Sequence, residues 1–299
     1  MGAELAKAYP TARAIYSEID DALGQPLSKL MWEGPEAELT LTENAQPALM
    51  AVSLAALRVL TEDQGLRLAD RVAYVAGHSL GEYSALAAAG SLSVSDTARL
   101  LKTRGRAMQD AVPVGEGAMA ALLGADLPKA KELAAAAAEG EVCEAANDNA
   151  PGQVVISGAR GAVERAVALA PKFGARRAVL LPVSAPFHCA LMGPAADIMR
   201  QALAAVQIKA PAVPLVANVT AASLTDPDQI RTNLVAQVTG MVRWRESMLY
   251  LQGRGVNTVY EVGAGRVLTG IARRFEGLEA RSVGSPEELE AAATALAAS

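Results

Sequence analysis

Val72-Ala73-Tyr74-Val75-Ala76-Gly77-His78-Ser79-Leu80-Gly81, continuing through Glu82-Tyr83 into the alanine-rich run that ends at Gly90, decides how the rest of the chain is read. Val72 to Ala76 is short, apolar and partly β-branched, as a buried strand is, and the residues after Gly81 are helix formers. Strand, glycine-flanked turn and helix make one βα unit, so an α/β fold with a mostly parallel sheet is expected. The turn fits G-x-S-x-G, a sharp strand-to-helix bend that presents a serine hydroxyl at a helix N-terminus. Free amides and the positive end of the helix dipole would there face a developing oxyanion. The plain alternative is an ordinary βα turn with Ser79 as a helix cap.

Working outward, the N-terminal side reads as helices, from Leu5 to Leu23 and from about Asn44, with Pro47 in its first turn, to about Gly65. Another helix is expected from Ser95 to about Ala111. From Gly115 to Ser184 the order becomes βαββαβ: strand Ala118 to Leu123, helix Lys129 to Glu139, strands Val142 to Ala146 and Gln153 to Ser157, helix Ala162 to Phe173, strand Arg177 to Val183. That is the order of a ferredoxin-like unit. Alternation of helix and strand then resumes: helices from Ala190, Ile230, Arg266 and Pro286, and strands Val213 to Val219, Val256 to Val262 and Ala280 to Val283. The expected organisation is discontinuous, with residues 1–112 and 185–299 forming an α/β core and residues 113–184 an inserted subdomain.

The 299 residues are 52% hydrophobic and 20% charged, with a formal net charge of -5. This is ample apolar content for a core, and the acidic balance argues against a nucleic-acid binder that works by neutralising phosphates. Cys143 and Cys189 are too few and too far apart in sequence for a disulfide framework or a zinc knuckle. They read as reduced thiols of a cytoplasmic protein. No signal peptide or membrane-spanning run is evident.

A serine nucleophile needs a base. The chain has two histidines. His78 adjoins Ser79 in the turn and should project away from its hydroxyl, which leaves His188, in the loop Ser184-Ala185-Pro186-Phe187-His188. Asp226 and Glu261 leave a Ser-His-acid arrangement open, though neither has a distinguishing context. At about 100° per residue, Arg104 falls in the middle of the apolar arc formed by Leu100, Leu101, Ala107 and Met108. A guanidinium on a buried face needs an anionic partner, either an internal carboxylate or the anionic end of a substrate. With a serine acyl acceptor, the second suggests an acyl group bearing its own carboxylate. Gly263-Ala264-Gly265 precedes a helix, but Leu268 stands where a dinucleotide loop needs its last glycine, so it reads as a turn. Met108 and Met119 read as core filling near segments that could line an acyl pocket.

Gly77-His78-Ser79-Leu80-Gly81-Glu82-Tyr83, Gln46-Pro47-Ala48-Leu49, Arg104-Gly105-Arg106-Ala107-Met108, Pro151-Gly152-Gln153-Val154-Val155, Pro186-Phe187-His188-Cys189 and Glu261-Val262-Gly263-Ala264-Gly265 together resemble, in order and spacing, the bacterial malonyl-CoA:acyl-carrier-protein transacylases. The likeness spans essentially the whole chain. It implies a hydrolase-like core with a ferredoxin-like insertion. It implies Ser79 as nucleophile, His188 as base, the Leu80 amide in the oxyanion hole and Arg104 paired bidentately with the malonyl carboxylate. It further implies a backbone carbonyl near Arg243 orienting the histidine, and an acyl pocket at Met108, Met119, Phe187 and Val267 with Gln46 nearby. Phe187 just before the histidine goes with malonyl over methylmalonyl in related domains. The implied partners are malonyl-CoA and an acidic acyl carrier protein, docking on Lys172, Arg176 and Arg177 or on Arg273 and Arg274. The implied reaction is ping-pong, without a metal or redox cofactor, in a monomer.

Two expectations run beside this. The family begins with a strand and a Gly-Gln-Gly-Ser-Gln-like segment that supplies a second oxyanion amide, and Met1-Gly2 aligns just after it; a truncated or misassigned start is therefore expected. The competing functions are a serine esterase or thioesterase using the same Ser79 and His188, and a weakly active module that binds carrier protein.

Overall fold

The computed structural model describes residues 1–298 and shows a mixed α/β fold. Its strands are β1 (Val75–Ala76), β2 (Gly117–Leu123), β3 (Cys143–Ala150), β4 (Gln153–Ala159), β5 (Arg177–Leu180), β6 (Leu215–Val216), β7 (Ser223–Leu224), β8 (Thr258–Val262) and β9 (Glu279–Val283). They form three sheets, ordered β1-β6-β7, β3-β4-β2-β5 and β8-β9. β1 runs parallel to β6, and β8 parallel to β9, whereas every pairing in the four-stranded sheet is antiparallel. Among the described residues β1 and β8 each carry a ladder on one side only.

The strands before and after the serine turn are shorter than their apolar runs suggest. Val72 is spent closing the preceding helical turn, its amide bonded to the Leu68 carbonyl, so pairing begins at Val75. On the partner side Pro214 has no amide to donate, and the chain turns back after Val216 through Ala221, at φ 51°. The first expected helix is two, Ala3–Ala8 and Pro10–Leu23, because Tyr9 before the proline is held extended at φ -128°, ψ 118°. Among the elements not expected are β7, the helix Trp244–Gly253 and the short helices Leu27–Glu33, Glu36–Leu39 and Leu68–Arg71.

The larger unit packs helices around Ile15, Tyr16, Ile19, Met50, Leu100, Leu101, Met199 and Leu203, all buried. One contact in it sets up the site. Gly105 lies where an added Cβ would stand 2.4 Å from the Thr42 carbonyl oxygen, so the helix Val94–Asp110 approaches Thr42–Arg58 to backbone distance. That approach brings Arg104 against Gln46.

In the four-stranded sheet the side chains alternate as the pleat requires. Ala118, Ala120 and Leu122 of β2, with Val154 and Ile156 of β4, face the helices Leu127–Ala138 and Arg160–Leu169 through Leu133 and Val163. Met119 and Val155 face the other way, with Ala146, and meet Phe187. β3 continues beyond its expected end at Ala146 through the polar run Asn147-Asp148-Asn149, and this extension joins the two units. Val242 donates to the Ala146 carbonyl at 2.9 Å, and the Asp148 amide donates to the Val242 carbonyl at 2.9 Å.

Candidate active site

Ser79 sits at φ 52°, the left-handed region that costs a residue with a Cβ roughly 1–3 kcal/mol. The strain is held from both sides. Asn218 Oδ1 accepts from the Ser79 amide at 2.7 Å, and Asn218 Nδ2 donates to the Gly77 carbonyl at 2.7 Å, so one side chain brackets the bend. Gly77 is required, since a Cβ there would stand 1.9 Å from the Gly81 carbonyl oxygen, whereas a Cβ on Gly81 would meet open space. The bend leaves the Leu80 amide without an acceptor among the described residues and places it at the start of the helix Gly81–Ala88.

The base arrives from the segment between β5 and the helix Gly193–Ala204. His188, at φ 58°, is likewise left-handed, buried, and has Nε2 2.7 Å from Ser79 Oγ. Its Nδ1 faces the carbonyl oxygens of Gln237 at 2.9 Å and Gly240 at 3.2 Å. Carbonyls only accept, so Nδ1 carries the proton and Nε2 is the free lone pair that accepts from the serine. Burial first, and the Arg104 cation second, push His188 down from 6.5 to about 3, which keeps it neutral and ready to take a proton.

The orienting carbonyl is therefore not that of Arg243. Arg243 caps the helix Trp244–Gly253, its carbonyl accepting from the Ser247 amide at 3.0 Å and its guanidinium pairing with Glu246. Neither acid left open by the sequence reaches the histidine. Asp226 caps the helix Pro227–Thr239 by accepting from the Asp228 and Gln229 amides, and Glu261 accepts from the Leu268 and Thr269 amides at 2.9 and 2.7 Å. His78 points away from the serine, to Asn149 Oδ1 at 2.8 Å, with its ring 5.5 Å from Trp244. Burial lowers its pKa, against the Asn149 bond.

Arg104 is 1% exposed. Nη1 donates to Gln46 Oε1 at 2.7 Å, and Nη2 donates to Gln237 Oε1 at 2.8 Å and to Ser79 Oγ at 3.1 Å. Among the described residues no carboxylate forms an ion pair with it. The internal-partner reading is thus not met: two neutral amide oxygens hold a buried cation beside the nucleophile. Gln46 also donates to Met108 Sδ at 3.9 Å. Met119 and half-buried Phe187 share the apolar cluster behind the base loop. Val267 is 69% exposed at the first turn of its helix, outside the apolar clusters that hold Met108, Met119 and Phe187.

Sequence reasoning missed Asn218, Gln237 and Glu82. Glu82 is 1% exposed, and its Oε2 accepts from Gln237 Nε2 at 2.6 Å and from the Asn218 amide at 3.2 Å. Burial pushes its carboxyl up to about 7, against these two bonds and the Arg104 charge. Gln237 Nε2 also donates to the Ser79 carbonyl at 2.9 Å. Only the Glu in Gly-Glu-Tyr after the serine turn offered a signal, a charged residue on an apolar helix. Among the described residues no group of three His, Cys, Asp or Glu is placed to hold a metal ion, and no helix is long and apolar enough to cross a membrane.

A polarised serine, a neutral histidine of fixed tautomer, a free amide and an unpaired buried cation can form and break an ester of an acyl group that carries an anion. Comparisons with known proteins agree with that chemistry. The acyl transferase domain matches residues 1–284. The chain is 45% identical to the malonyl CoA-acyl carrier protein transacylase of Escherichia coli K12, over 98% of this chain and 94% of that one. The acyl-carrier-protein S-malonyltransferase of Bartonella henselae superposes with a TM-score of 0.96 at 55% identity, covering 99% of this chain and 95% of that one. A solved type II PKS acyl-carrier protein in complex with its malonyl-transacylase matches at a TM-score of 0.94 and 41% identity, covering 99% and 94%.

Proposed function

This chain belongs to the acyl transferase domain family, and on that premise we propose that it moves a malonyl group from malonyl-CoA to the phosphopantetheine thiol of acyl carrier protein, in fatty acid synthesis. The observation that carries the malonyl assignment is Arg104, a buried guanidinium with no carboxylate in ion-pair contact among the described residues, 3.1 Å from the nucleophile. A carboxylate bound there would hold the thioester carbon of the same short acyl chain over Ser79 Oγ.

His188 Nε2 takes the Ser79 proton as Oγ bonds to the thioester carbon, and the oxyanion is stabilised by the Leu80 amide. The carbon–sulfur bond then breaks, and coenzyme A leaves with the proton returned by His188. A malonyl ester on Ser79 remains. The carrier-protein thiol gives its proton to His188, attacks the ester carbon and releases Ser79, which regains the proton. Each step draws on groups of this chain and its two substrates, so we assign the reaction no metal or redox cofactor. Gln237 and Gly240 carbonyls take the role of the triad acid by fixing the imidazole, and the positive charge that develops is short-lived.

The four-stranded order β3-β4-β2-β5 supports a ferredoxin-like subdomain over residues 113–184, inserted in a hydrolase-like core of residues 1–112 and 185–299. The exposed cations Lys172, Arg176 and Arg177, and Arg273 and Arg274, support docking of an acidic carrier protein on those faces. Two buried free cysteines support a cytoplasmic setting.

Intact-mass measurement after incubation with malonyl-CoA tests the proposal: a single malonyl adduct on Ser79, absent in Ser79→Ala and discharged by holo carrier protein, is expected. Free malonate released without a thiol acceptor would make the protein a hydrolase. No adduct at all would leave a binding module.

A further inference from the structure

Glu82 is the one buried acid in the site that the transfer steps do not use. Its cost is plain. The side chain is 1% exposed and its Oε1 has no partner among the described residues. Burying a half-satisfied carboxyl costs more than burying an apolar side chain of the same volume, so stability alone does not account for it.

Its satisfied oxygen explains it better. Oε2 accepts from the Asn218 amide and from Gln237 Nε2. Asn218 is the residue whose side chain brackets the strained nucleophile turn, bonded to both Gly77 and Ser79. Gln237 is the residue whose carbonyl fixes His188, and its amide also reaches the Ser79 carbonyl. The two residues belong to different segments, the loop after β6 and the helix Pro227–Thr239. Glu82 itself sits one turn after Ser79, its own amide bonded to the Ser79 carbonyl at 3.1 Å. One oxygen on the nucleophile's helix therefore ties down the support of the nucleophile and the support of the base.

We propose that Glu82 is a positioning residue that holds the nucleophile turn and the base in register, with its Oε2 gathering Asn218 and Gln237 onto the helix that carries Ser79. The role needs an acceptor at Oε2 and is indifferent to charge, since an ionised and a neutral carboxyl both accept there. It rests on Ser79 being the acylated residue, as proposed above, and not on Arg104.

The test is a set of three proteins, wild type, Glu82→Gln and Glu82→Met, assayed for Ser79 acylation with p-nitrophenyl acetate, an ester with no carboxylate for Arg104. Glu82→Met fills the space without an acceptor, and its acylation kcat should fall about 10- to 100-fold with KM within threefold of wild type, a loss of about 1.4–2.7 kcal/mol by the tenfold-per-1.36 kcal/mol relation. Glu82→Gln, whose amide oxygen accepts the same two bonds, should keep kcat within about threefold. Should Glu82→Met not fold, Gln237→Met, which keeps the backbone carbonyl on His188 but removes the side-chain bonds to Glu82, to the Ser79 carbonyl and to Arg104, should fall at least as far. A Glu82→Met enzyme as fast as wild type overturns the proposal, as does an equal loss in Glu82→Gln, which would make charge the cause; so does undiminished acylation in Gln237→Met. A wild-type protein that is never acylated on Ser79 instead sinks the transferase reading itself.

Discussion

Two arginines of this chain stand under opposite terms. Arg245 meets a carboxylate of its own chain: its guanidinium lies 2.9 Å from Asp148, a side chain 1% exposed, and itself remains 30% exposed. Arg104 is almost fully buried, donates to the amide oxygens of Gln46 and Gln237 and the hydroxyl of Ser79, and lies 5.7 Å from the centroid of the Tyr83 ring. The first pair is closed, with charges matched and nothing left to bind. The second is a cation paid for in desolvation and left electrically open. The difference teaches that the useful arginine is the one the fold declines to neutralise, because only that charge retains attraction for an incoming carboxylate.

The sharpest way to break this contrast is Arg104→Ala. We expect kcat/KM for malonyl-CoA to fall about 10²- to 10³-fold, the scale of a truncated buried charge pair, with a much smaller change for acetyl-CoA. Single-turnover acylation with the two donors measures it, and equal losses would remove the carboxylate role. Arg245→Ala should do the reverse. It strands a buried Asp148, so the urea midpoint should drop by an amount worth about 2–3 kcal/mol, discounted for the exposure of Arg245, while the preference for malonyl over acetyl stays put. A shifted preference would mean that both arginines serve the substrate. Arg104→Lys keeps the charge but not the planar fork, and about a tenfold loss on malonyl-CoA is expected from the same assay.

Legibility in the sequence followed the range of the interactions. The serine turn is local, five residues between a strand and a helix, and Arg104 betrays itself by sitting on the wrong face of an amphipathic helix. His188 emerges because there is only one other histidine, and that one is sterically turned away. The supports have no such local mark. Asn218 and Gln237 act on Ser79 across 139 and 158 residues, and nothing in their own neighbourhoods announces it. The orienting carbonyl was assigned to Arg243 because a backbone oxygen belongs to every residue alike and leaves no trace in side-chain identity. Asn147-Asp148-Asn149 hid the end of β3 for a related reason: three polar residues read as loop, yet each is buried against His78, Arg245 or the Val242 backbone. Strand lengths around the turn were misjudged where a helix cap at Val72 and a missing amide at Pro214 ended the ladders early.

The neighbouring burials of Glu82 and His188 have a consequence for acid stability. Folding raises Glu82 from 4.5 to about 7 and lowers His188 from 6.5 to about 3. Taken singly, the raised acid favours the fold at low pH and loses that advantage as pH rises through 7, while the lowered histidine favours the fold above 6.5 and loses it as pH falls toward 3. Between about 4.5 and 6.5 the folded pair holds one proton, on Glu82, and the same pair in the unfolded chain holds one, on His188. The number bound is the same in both states, so the two groups together add no slope to stability across that window. Glu82→Gln uncovers the histidine alone: its urea stability should decline relative to wild type by about 1 kcal/mol per pH unit on acidification from 6.5, and parallel curves for the two proteins would show that the carboxyl is already ionised in the fold. Two burials that are each unfavourable to a charge thus leave this pair, as a proton acceptor, indistinguishable from the same two groups in the unfolded chain over two pH units.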